Sequence, residues 1–357
     1  MFIEYEEHSR NIHGTSMRIF LRENIRIIYK HSWNIRCYLG QLWPILGLIK
    51  NYPNNNPFVI AMYCGDSKPA PLDIFLEDFV NELFELLHEG FLFENKLYTV
   101  KVHSFICDAP ARAYIKRTKS YNGYSSCDKC TETGEYVQNR VIYKNVSAPR
   151  RTDLDFKLLI DEDHHTGVSP RSKLPIGLIT NFPIDYMHAV CLGVMRKLLN
   201  SWMCGNLKIR LPSRLINLIS ERLIYYRKFI PVEFNRKSRT LIELARWKAT
   251  EYGMFLIYLG PVVLKDILPI AFYENFLLFH CSIFLLCSEK HINKIGTQLA
   301  NELLVMFIKH CENIYGPQFL IYNVHILCHL STDVEKFGPL DNISAFPFEN
   351  YLNVLKI

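Results

Sequence analysis

The sequence predicts an α/β fold: a sheet domain interrupted by a large, mostly helical insertion. Three observations predict it. Between residues 43 and 119, apolar runs of strand length and helical stripes follow in the order strand, strand, helix, strand, helix, which builds a sheet with helices against it. From roughly 190 to 320 the apolar spacing is helical throughout. A short closing helix over 347–356 begins at Pro347, a favoured first-turn residue.

Residues 1–42 form an irregular N-terminal segment with a degenerate first strand, and residues 43–120 the first part of the sheet domain. Trp43–Ile49 reads as a buried strand, with Pro44 near its start, where a missing N–H is tolerated. Tyr52–Pro57 is a turn, and Phe58–Cys64 a second apolar strand ended by Gly65-Asp66. Ile74, Phe75, Phe79, Val80, Leu83, Leu86 and Leu87 line one helical stripe over 73–88. Leu97–Ile106 alternates and is rich in β-formers, so it reads as a strand with Asp108 at its carboxyl end. Residues 111–119 look helical and basic.

Residues 121–320 then hold a Gly-, Ser- and Cys-containing loop and the helical insertion. Its helices are expected at Val190–Trp202, Ser213–Arg227, Leu241–Tyr258, Tyr273–Cys287 and Leu299–Ile314. Residues 321–357 close the chain with a His-bearing helix and the Pro347 helix.

Composition narrows the classes. Apolar content of 49% and aromatic content of 13% suit a packed globular chain, not a disordered one. A net charge of +6 permits a nucleic-acid partner without requiring one. No signal peptide is expected, because the opening Met1-Phe2-Ile3-Glu4-Tyr5-Glu6-Glu7 is acidic. The longest apolar stretch, Phe276–Cys287, is too short to span a bilayer, so no membrane partner is expected. The eleven cysteines read mostly as buried thiols in a reducing compartment, as at Cys281, Cys287 and Cys311.

The chemistry-bearing residues come in one order. Cys127-Asp128-Lys129-Cys130 has zinc-knuckle spacing, and two thiolates on one tight turn can share a tetrahedral metal; a reduced, metal-free CxxC is the plain alternative. His325 and His329 fall at i and i+4 of an expected helix, on one side; two core-edge histidines are the alternative. Asp108 and Glu349 flank these pairs, 19 residues before Cys127 and 20 after His329. Acids so placed can hold divalent metals for phosphoryl transfer, or else cap a helix or carry surface charge.

Asp185-x-x-His188 is a possible further metal or structural site, or a helix N-cap beside a buried His. Glu251 competes with Glu349 for the role of last acid. His164-His165 reads as a solvated or DNA-facing loop. Arg112, Lys116, Arg150 and Arg151 are candidates to face DNA phosphates, or to form a solvated basic face.

Over residues 42 to 357 the chain resembles the transposase domain of CACTA-type (En/Spm-like) DNA transposons. The matching segments are Leu42–Gly47, Cys107–Arg112, Gly123–Cys130, Ala148–Asp153, Phe182–His188, Arg246–Tyr252 and Tyr322–Tyr351. The order of acid, CxxC, paired His and acid is also similar to the V(D)J recombinase catalytic core. The resemblance implies an RNase H-like fold interrupted by a helical insertion. It further implies a DDE triad binding Mg²⁺ or Mn²⁺, with Asp108 second and Glu349 third, and Zn²⁺ on Cys127, Cys130, His325 and His329. DNA as partner, homo-oligomers on transposon ends and a nuclear location follow from it.

The chain departs from the family in one respect. The family's first catalytic Asp lies on the strand before Trp-Pro-Ile, yet Ile25–Leu42 holds no Asp or Glu, and the first Asp of the chain is Asp66. A worn or mis-assembled copy without strand cleavage is therefore expected.

Overall fold

The computed structural model describes residues 24–29, 32–37, 40–50 and 56–354. The chain before Asn24, the turn residues 51–55 and the end of the expected closing helix lie outside them. The architecture is mixed α/β. Its strands are β1 (Asn24–Tyr29), β2 (Ser32–Cys37), β3 (Gly40–Ile49) and β4 (Phe58–Gly65). After helix α1 (Leu72–Glu89) come the small hairpin β5 (Phe91–Phe93) and β6 (Lys96–Tyr98), then β7 (Lys101–Cys107) and helix α2 (Ala109–Lys116).

One five-stranded sheet runs β4-β3-β1-β7, with β2 paired to the start of β3. β3 is antiparallel to β1 and to β4, whereas β7 is parallel to β1 with Tyr29 beside Cys107. The described part of the segment expected to be irregular holds β1, β2 and the start of β3, and β1 is a central strand. The signal was present in Asn24-Ile25-Arg26-Ile27-Ile28-Tyr29, a β-branched run of strand length.

Side-chain alternation divides the two faces of this sheet. Ile45, Phe105 and Cys107 point to one face, under Leu76, Phe79, Val80 and Leu83 of α1 and Ala111 and Ile115 of α2. Leu42, Leu46, Leu48 and Ile106 point to the other, under Met187, Phe348 and Leu352. Gly47 is required in β3, because a Cβ there would run into the Phe58 ring.

Two local expectations need correction. In α1 the stripe holds at Phe75, Phe79, Val80, Leu83, Leu86 and Leu87, but Ile74 is 68% exposed and Leu72 and Leu76 are buried in its place. The expected strand Leu97–Ile106 is two elements. Glu94 and Asn95 adopt positive φ and fold Phe91–Phe93 back onto Lys96–Tyr98, and the sheet strand starts afresh at Lys101.

The loop beyond α2 contains a second hairpin, β8 (Glu135–Val137) and β9 (Arg140–Ile142), and short α3 (Asp153–Lys157). A nine-residue π-helix, Met187–Met195, leads into α4 (Arg196–Cys204) and α5 (Ser213–Tyr226). Then come α6 (Ala249–Met254), α7 (Gly260–Val263), α8 (Ile270–Leu286), α9 (Glu289–Ile295) and α10 (Gln298–Tyr315). The chain closes with α11 (Tyr322–His325), α12 (Leu330–Phe337) and α13 (Phe346–Val354).

The helical block has its own large core around Trp202, Phe255, Phe276, Phe279 and Phe307. Expected Leu241–Tyr258 is broken into a 3₁₀ turn, α6 and a π-turn. Cys311 is buried, but Cys287 is half-buried and Cys281 exposed, because α8 turns only one side to the core. Among the described residues no single helix is long and apolar enough to cross a membrane.

Candidate metal centre

The Cys127–Cys130 turn is folded by its neighbours. Arg151 N–H donates to Lys129 O at 3.0 Å, Thr131 N–H to Pro149 O at 3.0 Å, and Arg151 Nε to Cys127 O at 2.9 Å. His325 ends α11, and His329 lies in a 3₁₀ turn directly after it, not on one continuous helix. The tighter turn still brings both imidazoles to the thiols. Cys127 Sγ lies 3.4 Å from His329 Nε2, Cys130 Sγ 3.3 Å from His325 Nε2, and the sulfurs 3.5 Å apart.

Four ligand atoms within 4.8 Å of one another form a buried group able to hold a metal ion such as zinc. Metal–sulfur bonds of about 2.3 Å and metal–nitrogen bonds of about 2.0 Å at tetrahedral angles give edges of about 3.5 Å (S–N) and about 3.8 Å (S–S). The observed edges are close to these. Without an ion, burial pushes the Cys127 thiol up, while its hydrogen bond to Cys127 holds Cys130 below the ordinary thiol range. A bound cation would deprotonate both.

The residues between the two cysteines anchor the turn. Asp128 Oδ2 receives Arg112 Nε at 3.2 Å and Lys116 Nζ at 3.1 Å, both from α2. Tyr322 Oη donates to Asp128 Oδ1 at 3.3 Å and accepts from Arg112 Nη2 at 2.8 Å. Lys129 Nζ pairs with Asp333 Oδ1 of α12 at 2.9 Å, and Asp333 Oδ2 accepts from Ile184 N at 2.8 Å. The knuckle is thus tied to the helix after Asp108 and to the helix after His329. Sequence reading passed over Asp128, Lys129, Tyr322 and Asp333; the one available signal was a charged pair inside a CxxC.

These contacts correct the DNA-facing set. Arg112, Lys116 and Arg151 are 3%, 0% and 8% exposed, so they cannot reach a phosphate backbone. Their charges serve internal carboxylates, Asp128 for the first two and Asp161 for Arg151 at 2.7 Å. Arg150 is exposed, but its Nη2 donates to Cys328 O at 3.1 Å, behind the metal group.

In the His164-His165 loop Glu162, Asp163 and Thr166 are exposed, but His164 turns inward. His164 is fully buried and donates from Nδ1 to Ser125 O at 2.7 Å. Burial, then the Arg151 charge, push its imidazole down to about 3, against an ordinary value near 6.5. Above pH 6.5 the ring is neutral in both states. As pH falls from about 6.5 towards 3 the unfolded chain takes a proton that the folded chain refuses, so stability is lost at up to about 1.4 kcal/mol per pH unit. Chemical denaturation at pH 7 and pH 5 is expected to show this loss in the wild type and a smaller one in His164→Gln; equal losses would refute it.

Asp108 and Asp185 follow directly on the bridged pair Cys107 and Ile184. Asp108 caps α2, accepting from Ala111 N at 2.8 Å. It lines a pocket of about 350 Å³ with Arg112, Asp185, His188, Arg196 and Asn323. Asp185 is buried; its Oδ1 accepts from Met187 N at 3.0 Å and Ala345 N at 2.9 Å, and Oδ2 holds His188 Nδ1. His188 Nε2 then faces Glu349 Oε1 at 4.0 Å. The Asp185-x-x-His188 group thereby ties the π-helix to α13. Glu251 is elsewhere: Arg239 grips both its oxygens at 2.7 and 2.6 Å, and it caps α6 by accepting from Lys248 N at 2.9 Å.

Comparison with known proteins finds no matching family model and no matching curated protein.

Proposed function

We propose that this chain is a transposon-derived, DDE transposase-like protein of RNase H-like architecture that binds DNA and has lost strand cleavage. The observation that carries the reading is the parallel pairing of β7 with central β1, which sets their carboxyl ends side by side with Asp108 directly after β7. Functional groups of open α/β sheets gather at such strand ends. Glu349 Oε1 stands 4.0 Å from Nε2 of His188, which itself lines the Asp108 pocket.

The ion at Cys127, Cys130, His325 and His329 is Zn²⁺ on this reading, since two thiolates and two imidazoles at tetrahedral spacing suit it. A closed set of four protein ligands makes the zinc structural. Paired Mg²⁺ or Mn²⁺ ions do not fit the residues at hand. β1 reads Asn24-Ile25-Arg26-Ile27-Ile28-Tyr29 and brings no carboxylate beside Asp108, and Asp185 spends its oxygens on two backbone N–H groups and His188. The missing acid favours a domesticated or relict DNA-binding scaffold over an active nuclease.

Charge supports the DNA partner. Residues 206–248 carry eleven Lys and Arg against three acids, so this stretch alone exceeds the +6 of the whole chain. Tyr225 and Phe229 stand 57% and 62% exposed among these cations, with Lys228 Nζ over both rings. Aromatic faces among basic residues suit nucleic acid. Homo-oligomers on DNA and a nuclear location belong to the same proposal.

With supercoiled plasmid and Mg²⁺ or Mn²⁺, the protein is expected to bind in a salt-dependent way and leave the plasmid uncut. Nicking above that of Asp108→Ala would refute the loss of cleavage. Failure to bind at about 50 mM salt, where phosphate contacts are strongest, would refute the DNA reading.

A further inference from the structure

We propose that the cleft lined by Arg140, Arg196 and Lys197 binds phosphate oxyanions, and that on DNA these are backbone phosphodiesters led towards the Asp108 pocket. The DNA part of this statement rests on the function proposed above.

The cleft has a volume of about 420 Å³ and is lined by three cations, by Asn200, Ser201 and Asn323, and by no Asp or Glu. The cations come from separate elements. Arg196 and Lys197 open α4, whose Leu198, Leu199 and Trp202 are fixed in the helical core. Arg140 opens β9, after a tight turn in which Gln138 and Asn139 both take positive φ. The hairpin is anchored where Tyr143 N–H donates to Leu320 O at 2.8 Å.

Among the described residues none of the three cations pairs with a carboxylate. Like charges brought together on rigid elements repel, and a bound anion relieves that repulsion. The Lys197 ammonium also lies over the Phe319 ring at 4.6 Å, and burial, then Arg140, push its pKa down to about 8.

The cleft is continuous with the carboxylate pocket. Leu192, Arg196 and Asn323 line both, and Asp108, Asp185 and His188 line only the second. Gly193 lines the cationic cleft, where a Cβ would press on His188 O at 3.0 Å and on Asn323 Nδ2 at 3.1 Å. A free phosphate would fill the cationic chamber alone. A strand with a phosphate at Arg196 can continue towards Asp108 and His188.

The test uses the full-length, metal-loaded protein. A short labelled duplex is titrated by fluorescence anisotropy across a salt range, and inorganic pyrophosphate by calorimetry. Arg140→Gln/Arg196→Gln/Lys197→Met is expected to weaken duplex binding at least about tenfold and to lower the salt slope by about 2 to 3. Lys290→Gln/Lys294→Gln on α9 is expected to change neither. Arg140→Glu, at an exposed hairpin position, should shift both in the same direction and covers the case in which the triple variant does not fold. Duplex binding left unchanged by the triple variant and by Arg140→Glu would overturn the cleft while DNA binding stands. Pyrophosphate binding that the variants lose, with no duplex binding in the wild type, would overturn the DNA reading and keep the oxyanion site. Binding of neither would overturn both.

Discussion

Removing the ion from Cys127, Cys130, His325 and His329 is expected to loosen the junction between the sheet and the helical block. The purified protein should hold one zinc per chain, and Cys130→Ser or His329→Ala should release it. Structural zinc in small fingers contributes about 10–16 kcal/mol of apparent folding energy. Whole domains are stable by only about 5–15 kcal/mol. The loss cannot be absorbed locally, because all four ligands are buried. The knuckle, the β8–β9 hairpin and α11–α12 should exchange amide hydrogens faster. The core around Phe276, Phe279 and Phe307 should keep most of its helix signal, since α8 and α10 carry none of the ligands. A chelator should lower the melting temperature of the wild type by at least about 5 °C and leave Cys130→Ser unmoved. Absence of zinc from the wild type, together with an unchanged melting temperature in Cys130→Ser, would refute the centre.

The four ligands were legible because their chemistry is rare in combination. Cys130 and His325 lie 195 positions apart, and no periodicity links them; only ligand type and the two short spacings do. What sets the knuckle's position was not legible. Asp128 and Lys129 read as filler inside a CxxC, and Asp333 as one more helix acid. Arg112, Lys116 and Arg151 were misread for the same reason. A charged residue is mostly exposed unless paired, and their partners Asp128 and Asp161 are not sequence neighbours in a helix or strand. The sheet was legible from Trp43 onwards by apolar runs, three residues after β3 begins. The first strand was read only as degenerate, because Arg26 divides its isoleucines and nothing local tells of the long-range pairing with β3 and β7. The cationic cleft brings together Arg140 and Arg196-Lys197 from two elements, and only the fold joins them.

Asp128→Asn is expected to be among the most damaging single substitutions in the chain. The carboxylate is 3% exposed and faces Arg112, Lys116 and the Tyr322 hydroxyl. Burial opposes its charge, yet the two cations hold it far below the usual carboxylate range. Taking the charge away leaves two buried cations without their anion, and breaking a buried pair in this way costs about 3–5 kcal/mol. Lys116→Met removes a buried ammonium instead and leaves Arg112 with Asp128, so it should cost far less. The double variant should be more stable than Asp128→Asn alone, because the stranded ammonium is gone. The pH dependence carries a second signature. Burial pushes the Lys116 amine down to about 8 even with Asp128 beside it, below its unfolded value of about 10.4. Without Asp128 it falls further, so the unfolded chain binds the extra proton over a wider window, and the variant regains stability as pH rises. The gap between wild type and Asp128→Asn should therefore narrow between pH 7 and pH 9. Asp128 also holds the turn between two metal ligands, so the substitution should weaken zinc by about 10–100-fold, as loss of an outer-shell partner does elsewhere. A variant as stable as the wild type at pH 7, with zinc equally resistant to a chelator, would show that the buried cations do not fix the knuckle.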